Sequence, residues 1–257
     1  MTPAEIEELR TAKLLLEHPG LAARISNLVG TPIERGFAML PRSWNQVVND
    51  ATRKSLETAL DVAVWSMDHN QPGTPSNWWH KLAVGTTGAA GGAFGLPALT
   101  IELPVSTTIM LRSIADIARS QGENLKSPDS KLQCIQVLGL GGTSRSDDGA
   151  DTGYFAARAA MAKAVSDAAA YLARNSVVHK GAPAIVRLLT QIASRFSIVV
   201  SQKAAAQAVP VVGALGGAVI NTLFIDHFQD MGRGHFIVRR LERLHGAGAI
   251  ERIYPEL

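Results

Sequence analysis

Four residues near the end of the chain, Asp226, His227, Asp230 and His235, are the side chains best suited to do chemistry, with Glu102 as a fifth from a distant segment. A histidine among carboxylates can abstract a proton or hold a metal ion, so this set would suit a soluble hydrolase. Spacing argues against a shared metal. His227 and His235 are eight residues apart, about 12 Å along a continuous helix, too far for one ion unless the helix breaks at Gly232 or Gly234. Polar residues satisfied at the end of a buried helix account for the same pattern. Glu102 and Asp226 each close a charge-free run, where a buried ion pair with Arg112 would act as a clamp. Arg112 and Asp116 are also spaced for an i,i+4 pair on a helix surface.

Other chemistries find little support. G-x-S-x-G, H-E-x-x-H and the phosphate-binding G-x-x-x-x-G-K-[ST] are absent. Gly139-Leu140-Gly141-Gly142 lacks the third glycine and the preceding strand of a dinucleotide fingerprint, and reads as a loop between helices. Asp147, Asp148 and Asp151 lack the spacing and closing glutamate of a calcium loop and read as a solvated loop with a helix cap. Cys134 has no second thiol for a disulfide or a cysteine zinc site, which suits a reducing compartment. No cofactor or metal is expected. A net charge of +3 falls short of the basic stripe that nucleic acid demands.

The elements that position these residues are helical. The chain is 257 residues long and 46% hydrophobic but only 5% aromatic, with Ala, Leu, Val and Ile dominating, a mixture that packs helices rather than sheet faces. The spacing predicts helices over residues 3–17, 21–29, 43–67, 105–121, 131–138, 153–174 and 183–207, and a basic amphipathic helix at the end. Thr2 is placed to cap the first, with Glu5 completing a capping box. Asn70-Gln71-Pro72-Gly73 marks a boundary between an N-terminal helical arm, 1–75, and a second domain, 76–257. The acidic start lacks a secretory pattern, so a cytoplasmic location is expected. The fold class is an all-α multi-helix bundle.

Two segments, 82–101 and 204–225, carry no charge. Each is long enough to cross a bilayer, but prolines, glycines, Gln207 and Asn221 weaken both as spanning helices. Gly88 and Gly92, Gly91 and Gly95, and Gly213 and Gly217 are spaced to let helices touch backbone to backbone, so the runs are expected to form Gly-rich hairpins or helices packed together. They would form a tight core or meet lipid. Arg239, Arg240 and Arg243 beyond the second run would favour anionic headgroups.

Glu102-Leu103-Pro104, Leu111 to Arg119, Gly122-Glu123, Leu138 to Gly142, Tyr154, Arg158, Val209 to Ala214, Asn221, Asp226 to Met231, His235-Phe236 and Arg239 to Glu242 together resemble the EcsC family over about residues 76–247. The resemblance implies a helical bacterial protein with a cytoplasmic or inner-membrane accessory role in transport or envelope processes, and it carries no catalytic residue with it. The expectation is therefore a non-enzymatic protein that associates peripherally with the inner membrane or binds lipid or another apolar ligand. The alternatives are the hydrolase above and a regulator that binds a membrane transporter.

Overall fold

The computed structural model describes residues 1–17, 20–29, 33–66, 95–142, 153–175, 178–208 and 217–257. Its helices are α1 Pro3–Glu17, α2 Leu21–Val29, α3 Ile33–Met39, α4 Trp44–Ser66, α5 Gly95–Ser120, α6 Pro128–Leu140, α7 Gly153–Arg174, α8 Pro183–Ala208, α9 Gly217–His245 and α10 Ala247–Ile253, before a single 3₁₀ turn over Tyr254–Glu256. No strand occurs among the described residues, and the all-α bundle is confirmed.

Local signals set the helix ends. At α1 the capping box forms in full: the Thr2 N–H donates to Glu5 Oε2 at 2.6 Å and the Glu5 N–H donates to Thr2 Oγ1 at 3.3 Å. At the end of α5, Gly122 takes φ +79°. The Gly122 N–H then reaches the Arg119 carbonyl and the Glu123 N–H the Ala118 carbonyl, a Schellman turn that only glycine enters without strain. That turn aims Glu123 back into the bundle.

Two boundaries differ from the sequence reading. Helix α5 begins ten residues early and runs through Pro104, the packing outweighing the N–H that proline removes. Gly139 and Leu140 continue α6 instead of opening a loop; the helix closes at Gly141.

The core is centred on α6. Every residue from Ser130 to Leu140 is buried, because α4, α5, α7, α8 and α9 all pack against this short helix. The buried apolar residues form one cluster that includes Leu9, Leu21, Val48 and Leu60 with Leu103, Phe196 and Phe228. The helices before residue 67 thus share a core with those after residue 94. Helix α1 lies along α9, and α4 along α5 and α8. Helix α8 is, among the described residues, the one long and apolar enough to cross a bilayer by length and composition. Its Ile192, Phe196, Val199 and Val200 are buried in this bundle, and a soluble core helix has the same composition.

Helices do meet backbone to backbone, though at a position the sequence reading did not name. Gly88, Gly92 and Gly213 lie outside the described residues, while Gly95 and Gly217 begin α5 and α9. The close approach is at Gly36, where α3 crosses α8: a Cβ there would stand 2.1 Å from the Ala205 carbonyl oxygen. Backbone cannot yield as a side chain does. Gly36→Ala is expected to cost about 1–3 kcal/mol, seen as a lower urea midpoint with an unchanged slope; an unchanged midpoint would mean the crossing is looser than described.

Candidate functional site

The polar side chains inside the bundle are strung along α9, and each meets a different neighbour. At its start lies Lys203 of α8, fully buried although it is a lysine. Its Nζ donates to both carboxylate oxygens of Glu102 on α5, at 2.7 and 2.8 Å, and to Asn221 Oδ1 on α9 at 2.9 Å. The Phe224 ring covers the ammonium at 4.4 Å. The sequence explains the convergence: Asn221 and Phe224 are three apart on one face of α9, and Phe196 and Lys203 are seven apart on one face of α8. Below the clamp, Phe196, Phe224 and Phe228 form an aromatic cluster with centroid separations of 5.2–6.1 Å. Burial pushes the Lys203 pKa below the usual lysine range, against the opposing pull of Glu102. Three acceptors and a π face match the three protons and charge of the ammonium, so this is a satisfied buried ion pair.

Two turns on, His227 is 2% exposed. Its Nε2 donates to the Gly141 carbonyl at 3.0 Å, which fixes the proton on that nitrogen and leaves Nδ1 without a partner. Arg195 closes the same helix end, donating to the Gly139 and Gly142 carbonyls at 2.7 and 2.9 Å. A cation and a ring N–H at the C-terminus of α6 satisfy carbonyls that the helix leaves open. Desolvation pulls the His227 pKa down to about 4.

His235 sits deeper still. Tyr154 Oη lies 2.9 Å from Nδ1 and Gln133 Oε1 lies 3.1 Å from Nε2. Because Gln133 Oε1 can only accept, Nε2 carries the proton and the tyrosine hydroxyl donates to Nδ1. Burial drives the His235 pKa down and the Tyr154 hydroxyl pKa up.

The remaining charges tie helices together. Arg158 forms a bidentate pair with Glu242, both contacts 2.7 Å. Arg239 reaches Glu123 at 2.8 Å and Asp129 at 3.0 Å. Arg243 also binds Glu123, and Arg240 binds Glu8. Glu123, desolvated but held by Arg239 and Ser130, keeps its pKa below the usual carboxylate range.

The structure does not bring the five proposed acid-base residues together. Glu102 pairs with Lys203 and not with Arg112. Asp226 is exposed. Asp230 lies between Arg24 at 2.9 Å and Arg233 at 3.0 Å. His227 and His235 serve separate neighbours on an unbroken helix. The expected Arg112–Asp116 pair gives way to Asp116 with Arg119, since Asp116 faces solvent while Arg112 is turned partly inward. No group of three metal-ligating side chains occurs among the described residues. The acidic trio of residues 147–151 lies outside them.

Sequence reasoning missed Lys203, the centre of the first cluster. The signal was present: it is the single charge between Phe196 and Ala208, and a lone cation in an apolar helix must find a carboxylate.

The chain matches the model of the EcsC protein family over residues 4–241. This span includes the N-terminal helices, which the resemblance by motif had placed outside. No curated protein and no solved structure matches the chain.

Proposed function

The chain belongs to the EcsC protein family, and on that premise we propose that it is a non-enzymatic accessory protein that docks on membrane lipid, at the inner leaflet, through the end of the bundle where the two charge-free runs join it. One observation carries the reading. Ile101 on α5 is 72% exposed and Val219 on α9 is 41% exposed, and both belong to those runs. Glu102 and Asn221, their near neighbours in the chain, share the Lys203 ammonium, so the clamp holds the two apolar side chains at the same end. Exposed aliphatic residues at the roots of charge-free segments suit contact with an apolar phase.

The role first assigned to Arg239, Arg240 and Arg243 changes in this reading. Each has a carboxylate partner within the fold, so attraction to anionic headgroups is a minor part of binding. The hydrolase alternative gains no geometry, because its residues are dispersed. A partner helix in a transporter would use the same apolar end.

Vesicle flotation tests the proposal. The protein is expected to float with neutral as well as anionic vesicles, to resist high salt and to be released by an alkaline wash. Ile101→Glu with Val219→Glu should weaken binding at least tenfold, since each apolar side chain buried is worth about 1.5–3 kcal/mol. Protein that stays at the bottom of the gradient, or floats equally well with both substitutions, ends this reading.

A further inference from the structure

An open groove of about 530 Å³ runs between α6 and α7, within the size range of ligand sites. It uses none of the clamp residues. One wall carries Asp129, Gln133 and Gln136, four and three residues apart on a single face of α6; the other carries Arg158 with Ala162 and Ala169 on α7.

The two glutamines are unusual for a helix at the centre of a core. Gln136 is 1% exposed, its Oε1 has no hydrogen-bond partner, and its Nε2 reaches the Arg158 carbonyl only at 3.5 Å. An unmet buried acceptor is destabilising, and leucine would avoid that cost. Gln133 gives Oε1 to His235, leaving Nε2 with a long 3.4 Å contact to Asp129. Charge is already neutralised around the groove: Arg158 is held by Glu242, and Asp129 by Arg239. The wall residues hold one unpartnered acceptor, itself buried, and one weakly held donor, about 4.5 Å apart along the helix. Their complement is a neutral amide. An extended residue presents its own N–H and C=O to the same side, and the alanine floor allows a backbone to approach.

We propose that the groove between α6 and α7 binds an extended, uncharged peptide segment, whose backbone N–H donates to Gln136 Oε1 and whose carbonyl accepts from Gln133 Nε2. The broad terminal torsion of glutamine lets the Gln136 amide turn to meet it.

The test uses the full chain labelled with ¹⁵N at glutamine and titrated with acetyl-trialanine N-methylamide, following the side-chain NH₂ signals of Gln133 and Gln136. Both signals should shift and saturate. Gln136→Leu should weaken binding at least tenfold while its urea midpoint stays equal to the wild type or rises, because the orphan acceptor is gone. Ala169→Trp, which fills the groove, should also abolish binding and gives a second route should the leucine variant not fold. No saturation by about 10 mM peptide, or equal affinity in the wild type and both variants, overturns the proposal.

Discussion

Lys203→Met is expected to destabilise the protein by about 3–5 kcal/mol, the range found when one partner of a buried ion pair is removed. Methionine fills similar space, so little of the loss comes from a cavity. The loss comes from the partners left behind, since the Glu102 carboxylate loses its cation and Asn221 Oδ1 its donor. Removing both charges tells this apart from a packing defect. Lys203→Met with Glu102→Leu should recover most of the stability, since an apolar pair of similar volume is often as stable as a buried salt bridge. Urea unfolding of the wild type, both single variants and the double variant at pH 7.5 gives the coupling energy. Additive losses, or a Lys203→Met effect below about 1 kcal/mol, would mean that water reaches the clamp and the pair is a surface one. The result also bears on docking, because the clamp sets where Ile101 and Val219 stand.

The helices were legible because their signals are local. Thr2 and Glu5 sit three residues apart and make the capping box that their types predict, and Pro183 opens α8 where a first-turn proline belongs. Pro104 was misjudged because a proline is a local breaker, whereas α4 and α9 hold α5 together along its length. Gly139 and Leu140 were misjudged for a related reason. A run rich in glycine reads as a turn, yet α6 is enclosed by five helices and needs small residues where they approach.

The site was legible as a roster and not as an arrangement. His227, His235, Glu102 and Asp230 stood out by type, and each is indeed a buried or paired polar group. Their partners are Gly141, Tyr154, Lys203 and Arg24, separated from them in sequence by between 81 and 206 residues, and no periodicity links residues that far apart. The arginines show the same limit. Arg239, Arg240 and Arg243 look like a cationic face until Glu123, Asp129 and Glu8 are placed against them.

The second large effect is acid sensitivity. An unfolded histidine titrates near pH 6.5, whereas desolvation holds the His227 pKa at about 4 in the folded chain. Between those values the unfolded state binds a proton that the folded state refuses, so stability is full above pH 6.5 and falls as the pH drops toward 4. The loss from His227 alone reaches about 3 kcal/mol at the bottom of that window. His235 adds to it with the same sign, because burial and the nearby Arg158 and Arg239 also oppose its protonation. Around His227 the Gly141 carbonyl and Asp230 favour the charged ring, but desolvation outweighs both, and Arg24 opposes the charge and occupies the Asp230 carboxylate. Glu123 is held below the usual carboxylate range, so its own loss belongs to more acidic conditions than the histidines. Urea midpoints measured from pH 7.5 to 4.5 should therefore fall steadily from about pH 6.5. His227→Gln keeps an N–H donor for the Gly141 carbonyl and cannot titrate, so it should remove close to one proton from the pH slope, and His235→Gln should remove another. A wild-type midpoint that stays level down to pH 4.5 would show that the two rings are reached by water and protonate without unfolding the bundle.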